Sequence, residues 1–257
     1  MTTANKKSKT REWKEIYSAK PWFTPDVEDS DEDTILSLWT PGGTDPRARK
    51  VLHRGGGGRR HKFSSQKVGR MVHCESRLEF DLCHLMEIIP EYGTFCEQPV
   101  EIHFQLAGEY HVHVPDQLAQ PDGRPLLIEC KYRKDAELFE VASRSELMSR
   151  CLPKIGLGYR LVTEDEIQRQ PRLQNAEDIR YYGRKPIEIE TREQILKLVN
   201  SGTPVTWGGA ITGQLGERGR DHLCRLVREG AVWFDIEQQL LPDTRFVRKT
   251  KDLVWSI

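Results

Sequence analysis

The chain has 257 residues, 37% apolar and 30% charged, with 39 Lys and Arg against 39 Asp and Glu. This balance permits a sizeable core and argues against a surface coated in basic residues. No run approaches the roughly 18 apolar residues of a membrane span, and the polar start "MTTANKKSKTREWK" lacks a signal peptide's apolar region, so a cytoplasmic protein with no membrane partner is expected.

The length suits a domain of roughly 150 residues with smaller appendages. Six scattered cysteines (Cys74, Cys83, Cys96, Cys130, Cys151, Cys224) form no C-x-x-C pair and suggest neither a zinc ribbon nor a disulfide framework. Residues 1–60 read as an extended arm in which Trp13, Tyr17, Trp22, Phe23, Leu36 and Trp39 are potential anchors without a sustained helical or strand period. Charge along the arm is segregated. Residues 26–33 hold six carboxylates, whereas residues 44–70 hold nine Lys or Arg against one Asp and include the run Gly55–Gly58. Such a stretch suits either a solvated loop or a segment lying along a phosphate backbone. Arg54, Arg59, Arg60, Lys62, Lys67 and Arg70 are the candidate DNA contacts.

"HCESRLEFDLCHLMEIIP" (73–90) predicts the first helix, with Leu78, Leu82, Leu85, Met86 and Ile89 at helical spacing and Pro90 helping to stop it. "VEIHFQL" (100–106) and "YHVHV" (110–114), joined through Gly108, predict a hairpin. The turn "QPDGRP" (120–125) leads into the strand "LLIECKYR" (126–133). A second helix over 134–152 and a strand "GYRLVT" (158–163) complete an α-β-β-β-α-β order, an α/β mixed sheet flanked by helices. Past residue 185, helices over 191–199 and 218–230 precede two short strands, "AVWFDI" and "TRFVRK". That order resembles a small winged helix-turn-helix, a fold that reads DNA in some proteins and binds protein in others.

Within the strand 126–133, alternation puts Glu129 and Lys131 on one face. If the turn at 120–125 returns the chain antiparallel, Asp116 approaches Glu129. Two carboxylates held together repel unless a cation sits between them, and a hard oxygen-binding ion such as Mg²⁺ meets that need. Beside Lys131 such an ion suits phosphodiester hydrolysis; solvated strand ends are the bland alternative. Cys130 should point to the opposite face, leaving its backbone carbonyl as a further metal ligand. Glu79 fits a capping box with Ser76, with Glu75 as an alternative carboxylate. His103, His111 and His113 allow a transition-metal site, but half-buried strand positions or contacts near the catalytic end fit them better.

"HKFSSQKVGRMVHCESRLE" (61–79), with "CEQPVEI", "VPDQLA", "LLIECKYR" and "YRLVTEDEI", resembles the TnsA endonuclease subunit of heteromeric transposases. The likeness covers residues 60–170 well and the C-terminal region by pattern alone. It implies a restriction-endonuclease-like domain over 61–185 with the P-D-(D/E)-x-K signature, and a winged-helix-like domain over 186–257. It also implies a DNA endonuclease using Mg²⁺, with Mn²⁺ as a substitute. Glu79, Asp116, Glu129 and Lys131 match the family's catalytic set, and Glu97-Gln98-Pro99 matches a supporting feature. Such a subunit cuts the 5′ ends of a transposon in double-stranded DNA. Its implied partners are an integrase-like transposase and an ATP-dependent transposition regulator. A stand-alone restriction or phage-type nuclease and a non-catalytic DNA- or protein-binding adaptor are the competing expectations.

Overall fold

The structure is a computed structural model describing residues 33–41, 47–48 and 60–255. Trp13, Tyr17, Trp22, Phe23, the acidic run before Asp33, the glycine run, Arg54 and Arg59 lie outside the described residues.

In chain order the strands and helices are β1 (Thr34–Trp39), β2 (His61–Ser65), β3 (Arg70–Cys74), α1 (Arg77–Ile88) and β4 (Phe95–Glu97). Next come β5 (Glu101–Leu106), β6 (Glu109–His113), β7 (Gln117–Ala119), β8 (Leu126–Cys130), α2 (Arg133–Ala136) and α3 (Phe139–Cys151). Then follow β9 (Gly158–Val162), α4 (Glu164–Ile167), α5 (Arg172–Tyr182), α6 (Ile189–Asn200), β10 (Val205–Thr206) and α7 (Trp207–Ile211). The last are α8 (Gly219–Arg228), β11 (Val232–Trp233) and β12 (Arg245–Arg248). The architecture is mixed α/β, and among the described residues no helix is long and apolar enough to cross a membrane.

The expected mixed sheet is divided. A four-stranded sheet runs β4-β7-β8-β9, antiparallel except for the parallel β8–β9 pair. The predicted β5–β6 hairpin forms, turning through Ala107 and Gly108 at φ 52° and 76°, as a tight two-residue hairpin turn requires. It belongs to a separate sheet, however, whose third strand is β1. Residues 34–39, within the expected extended arm, form a strand. With Ile35 and Leu38 buried, the segment gains its backbone partners from β5, far away in sequence. Residues 61–70 of the basic stretch, for which a solvated loop is one of the two expectations, form with residues 71–74 the β2–β3 hairpin, whose Phe63, Val72 and Cys74 enter the core.

Strand β8 is buried on both faces, as a central strand should be. Its Ile128 and Cys130 face the core built on α1, whereas Leu127 faces a second core with α3, β1 and β5. Helix α1 buries its predicted apolar stripe, and its polar face is covered too. Asp81 pairs with Arg77 at 2.7 Å and accepts from Gln168 Nε2 at 2.7 Å, and Glu87 is covered from the C-terminal side.

The C-terminal elements share this core: Leu223, Leu226, Val227, Phe234 and Trp255 belong to the same cluster as Leu78 and Leu85. Three strands, in the order β10-β12-β11, close the C-terminal region. Helix α8 ends as predicted at Gly230, whose φ of 67° suits glycine. No residue of α8 is fully exposed, because α5 and α1 pack against it.

Candidate active site

Strand β7 pairs with β8 in a register of Gln117 opposite Ile128, and continuing it one step brings Asp116 opposite Glu129. At that step the main-chain ladder is broken, and the carboxylate replaces it: Asp116 Oδ2 accepts the Cys130 N–H at 2.7 Å. Asp116 is fixed from behind as well, its carbonyl accepting the Gln98 N–H at 2.9 Å. Gln98 holds φ at 46°, an uncommon conformation for a residue other than glycine. The Glu97-Gln98-Pro99 segment thus positions Asp116 through the backbone.

Glu129 is 1% exposed and stands where Lys131, Arg144 and His113 converge. Lys131 Nζ lies 2.6 Å from Oε1, and Arg144 Nη2 lies 3.5 Å from the same oxygen. His113 Nε2 lies 3.0 Å from Oε2 without hydrogen-bond alignment. Burial alone would raise the Glu129 pKa; His113 and Lys131 outweigh it and bring the group down to about 2. Asp116 is pushed the other way, well above the usual carboxylate range, by burial and then by the charges of Glu129 and Glu79. Burial also raises Glu79, against backbone and Ser76 hydrogen bonds. Burial lowers Lys131, but Asp116 and Glu129 outweigh it, so its pKa is raised and the ammonium stays charged at neutral pH.

Ser76 caps α1, and Glu79 answers from its carboxylate to the Ser76 hydroxyl and the Glu75 amide in place of the Ser76 amide of a full capping box. Glu79 also belongs to this charge cluster. Ser76 Oγ accepts the Glu79 N–H at 3.1 Å and donates to Glu79 Oε1 at 2.8 Å, while Glu79 Oε2 accepts the Glu75 N–H at 2.9 Å. Cys130 faces the core, as alternation requires, and its carbonyl accepts Lys131 Nζ at 3.3 Å. Glu79, Asp116, Glu129 and Lys131 are thus brought together at one end of β8 from α1, the start of β7 and β8 itself.

Among the described residues no three His, Cys, Asp or Glu side chains already converge as a metal-ligand cluster. The donor chemistry nevertheless fits a hard ion. Asp116, Glu129, Glu79 and the Cys130 carbonyl are all oxygen donors, and a bound cation would offset both the burial that raises Asp116 and Glu79 and the repulsion that Glu129 and Glu79 exert on Asp116. The histidines do not gather for a transition metal. His103 pairs across the strands with Val112, placing it on the opposite face from His111 and His113. It contacts Glu101 at 2.7 Å, and His111 stacks on Phe104.

The basic candidates divide. Lys62 is exposed and Arg60 half-buried. Arg70 is turned onto the fully buried Glu97, with contacts of 2.7 and 2.9 Å. Lys67 donates to the carbonyls of Met86 and Ile89 at 2.6 Å each, capping the C-terminus of α1. Burial brings its pKa down to about 8. Sequence reasoning missed Arg144. The available signal was its place on α3, three residues from both Val141 and Leu147, a charge within an apolar stripe. Comparison with known protein families and with curated protein sequences finds no match for this chain.

Proposed function

We propose that the protein is a Mg²⁺-dependent DNA endonuclease of the TnsA type, cutting the 5′ ends of a transposon within a heteromeric transposase. The observation that carries this reading is the meeting of Asp116, Glu129 and Lys131 at the end of β8, with the charge of Glu79 on α1 acting on Asp116. In this reading α1, β5 to β8, α3 and β9 correspond to a restriction-endonuclease-like core. The order α6, β10, α7, α8, β11, β12 corresponds to a winged helix. Because α8 is covered, the C-terminal unit would meet a partner through its other surfaces, the exposed Arg245 and Arg248 of β12 among them.

Asp116, Glu129, Glu79 and the Cys130 carbonyl would hold the ion, Mg²⁺ or Mn²⁺ in its place. When bound it would neutralise charge on the scissile phosphate and acidify an attacking water. Lys131, kept protonated by its carboxylate neighbours, would orient the attacking water and stabilise the negative charge on the phosphoryl oxygens. A charged ammonium cannot take the proton, so Lys131 is an electrostatic group in this scheme. Asp116 is held in the ladder position by the Cys130 and Gln98 amides, which limits the reorganisation the site needs.

The test is nicking of DNA carrying transposon ends, in Mg²⁺ or Mn²⁺, with and without an integrase-like transposase. Partner-dependent 5′ cuts, reduced about 10²-fold or more by Asp116→Ala and by Lys131→Ala, support the reading. Cutting without a partner would indicate an autonomous nuclease. DNA binding unaffected by Asp116→Ala, with no cutting under any pairing, would reject catalysis.

A further inference from the structure

Arg144 adds a group to the site that the four matched residues do not include. It projects from α3 to Glu129 Oε1, but at 3.5 Å, whereas Lys131 holds the same oxygen at 2.6 Å. The side chain is 20% exposed, and its buried Nε has no hydrogen-bond partner among the described residues. A guanidinium carries five donors in a planar fork, and a buried one ordinarily satisfies them. Here the single long contact goes to an oxygen already taken by an ammonium. Lys131 already takes up Glu129 Oε1, so Arg144 keeps a buried donor, its Nε, that no described group of the site uses. The fork matches the two non-bridging oxygens of a phosphodiester better than it matches one shared carboxylate oxygen.

From this geometry we infer that Arg144 is a phosphate-binding residue of the site, donating to the non-bridging oxygens of the DNA phosphodiester while Lys131 remains on Glu129. The inference rests on the nuclease reading above. It assigns the recognition of the substrate's anion to α3, an element outside the family-like motif.

The experiment compares the full-length protein with Arg144→Lys, Arg144→Gln and Arg144→Ala, after confirming by circular dichroism that each variant is folded. Binding of a short fluorescein-labelled duplex is measured in Ca²⁺ over a range of salt, and Ca²⁺ binding without DNA is measured by calorimetry. Arg144→Gln and Arg144→Ala should weaken DNA binding and reduce the slope of log K against log salt by about one. Arg144→Lys should keep the slope, because the charge is retained, yet raise the KM for Mn²⁺-supported cleavage. Ca²⁺ affinity without DNA should not fall in any of the variants, because Arg144 is not a ligand of the ion and its charge opposes a cation beside Glu129. An unchanged slope in both neutral variants, or a loss confined to Ca²⁺ affinity, would reduce Arg144 to a prop for Glu129 and overturn the inference. If the wild type neither binds the duplex nor nicks DNA, the nuclease reading itself fails, a result distinct from a wild type that works and a slope that does not move.

Discussion

Replacing Arg228 with alanine tests how the C-terminal elements support the helix that carries Glu79. Arg228 Nη2 lies 2.7 Å from Glu87 Oε1, with side chains 7% and 1% exposed. Arg228 also donates to Gln66 Oε1 at 2.8 Å and to the Gly183 carbonyl at 3.0 Å. Glu87 in turn accepts from Ser65 Oγ at 2.6 Å and from the Gln66 amide at 3.0 Å. Removing the guanidinium leaves a buried carboxylate without its cation, which typically costs about 3–5 kcal/mol. At about 2–4 °C per kcal/mol for a protein of this size, the midpoint of thermal unfolding should fall by roughly 6–20 °C. Glu87→Gln should cost less, because the amide oxygen still accepts, and the Glu87→Gln/Arg228→Ala pair should cost less than the two single changes summed. Calorimetric melting at neutral pH measures all four proteins. A fall in Arg228→Ala of less than about 2 °C, or strict additivity in the double variant, would refute the claim that this pair locks α8 to α1.

Three further outcomes follow from the site. Glu129 has a folded pKa of about 2 against an ordinary 4.5, so its contribution is present above 4.5 and is lost as pH falls towards 2. That separation corresponds to about 3 kcal/mol, and Glu129→Gln should abolish this part of the acid dependence in urea melts; equal acid dependence in both proteins would contradict it. Asp116 and Glu79 have raised values, so they favour the fold at low pH and lose that contribution as pH rises through their folded pKa values. Binding of Mg²⁺ should therefore release protons and tighten as pH rises; calorimetry in buffers of differing ionisation enthalpy should detect the release, and pH-independent binding would refute it. Ser76→Ala removes a helix cap and a Glu79 contact; it should cost about 1 kcal/mol, measured by denaturant unfolding.

Local spacing in the sequence was enough to place α1, the β5–β6 hairpin, β8, β9 and the helix ended by Gly230, because periodicity and turn chemistry act between near neighbours. The same reasoning brought Asp116, Glu129 and Lys131 to one strand end, since alternation and an antiparallel return need no distant information. Only the tertiary structure decided the rest. β1 is a strand because β5 supplies its partners, and the β5–β6 sheet stands apart because β7, not β6, pairs with β8. Lys67 and Arg70 look like surface cations in sequence, yet they meet carbonyls and a carboxylate contributed by α1 and β4. Arg144 and His113 reach Glu129 from α3 and β6, elements whose approach depends on how the two cores pack against opposite faces of β8. A residue's neighbours along the chain set its local geometry, whereas the partners of a buried charge come from whichever elements the core draws together.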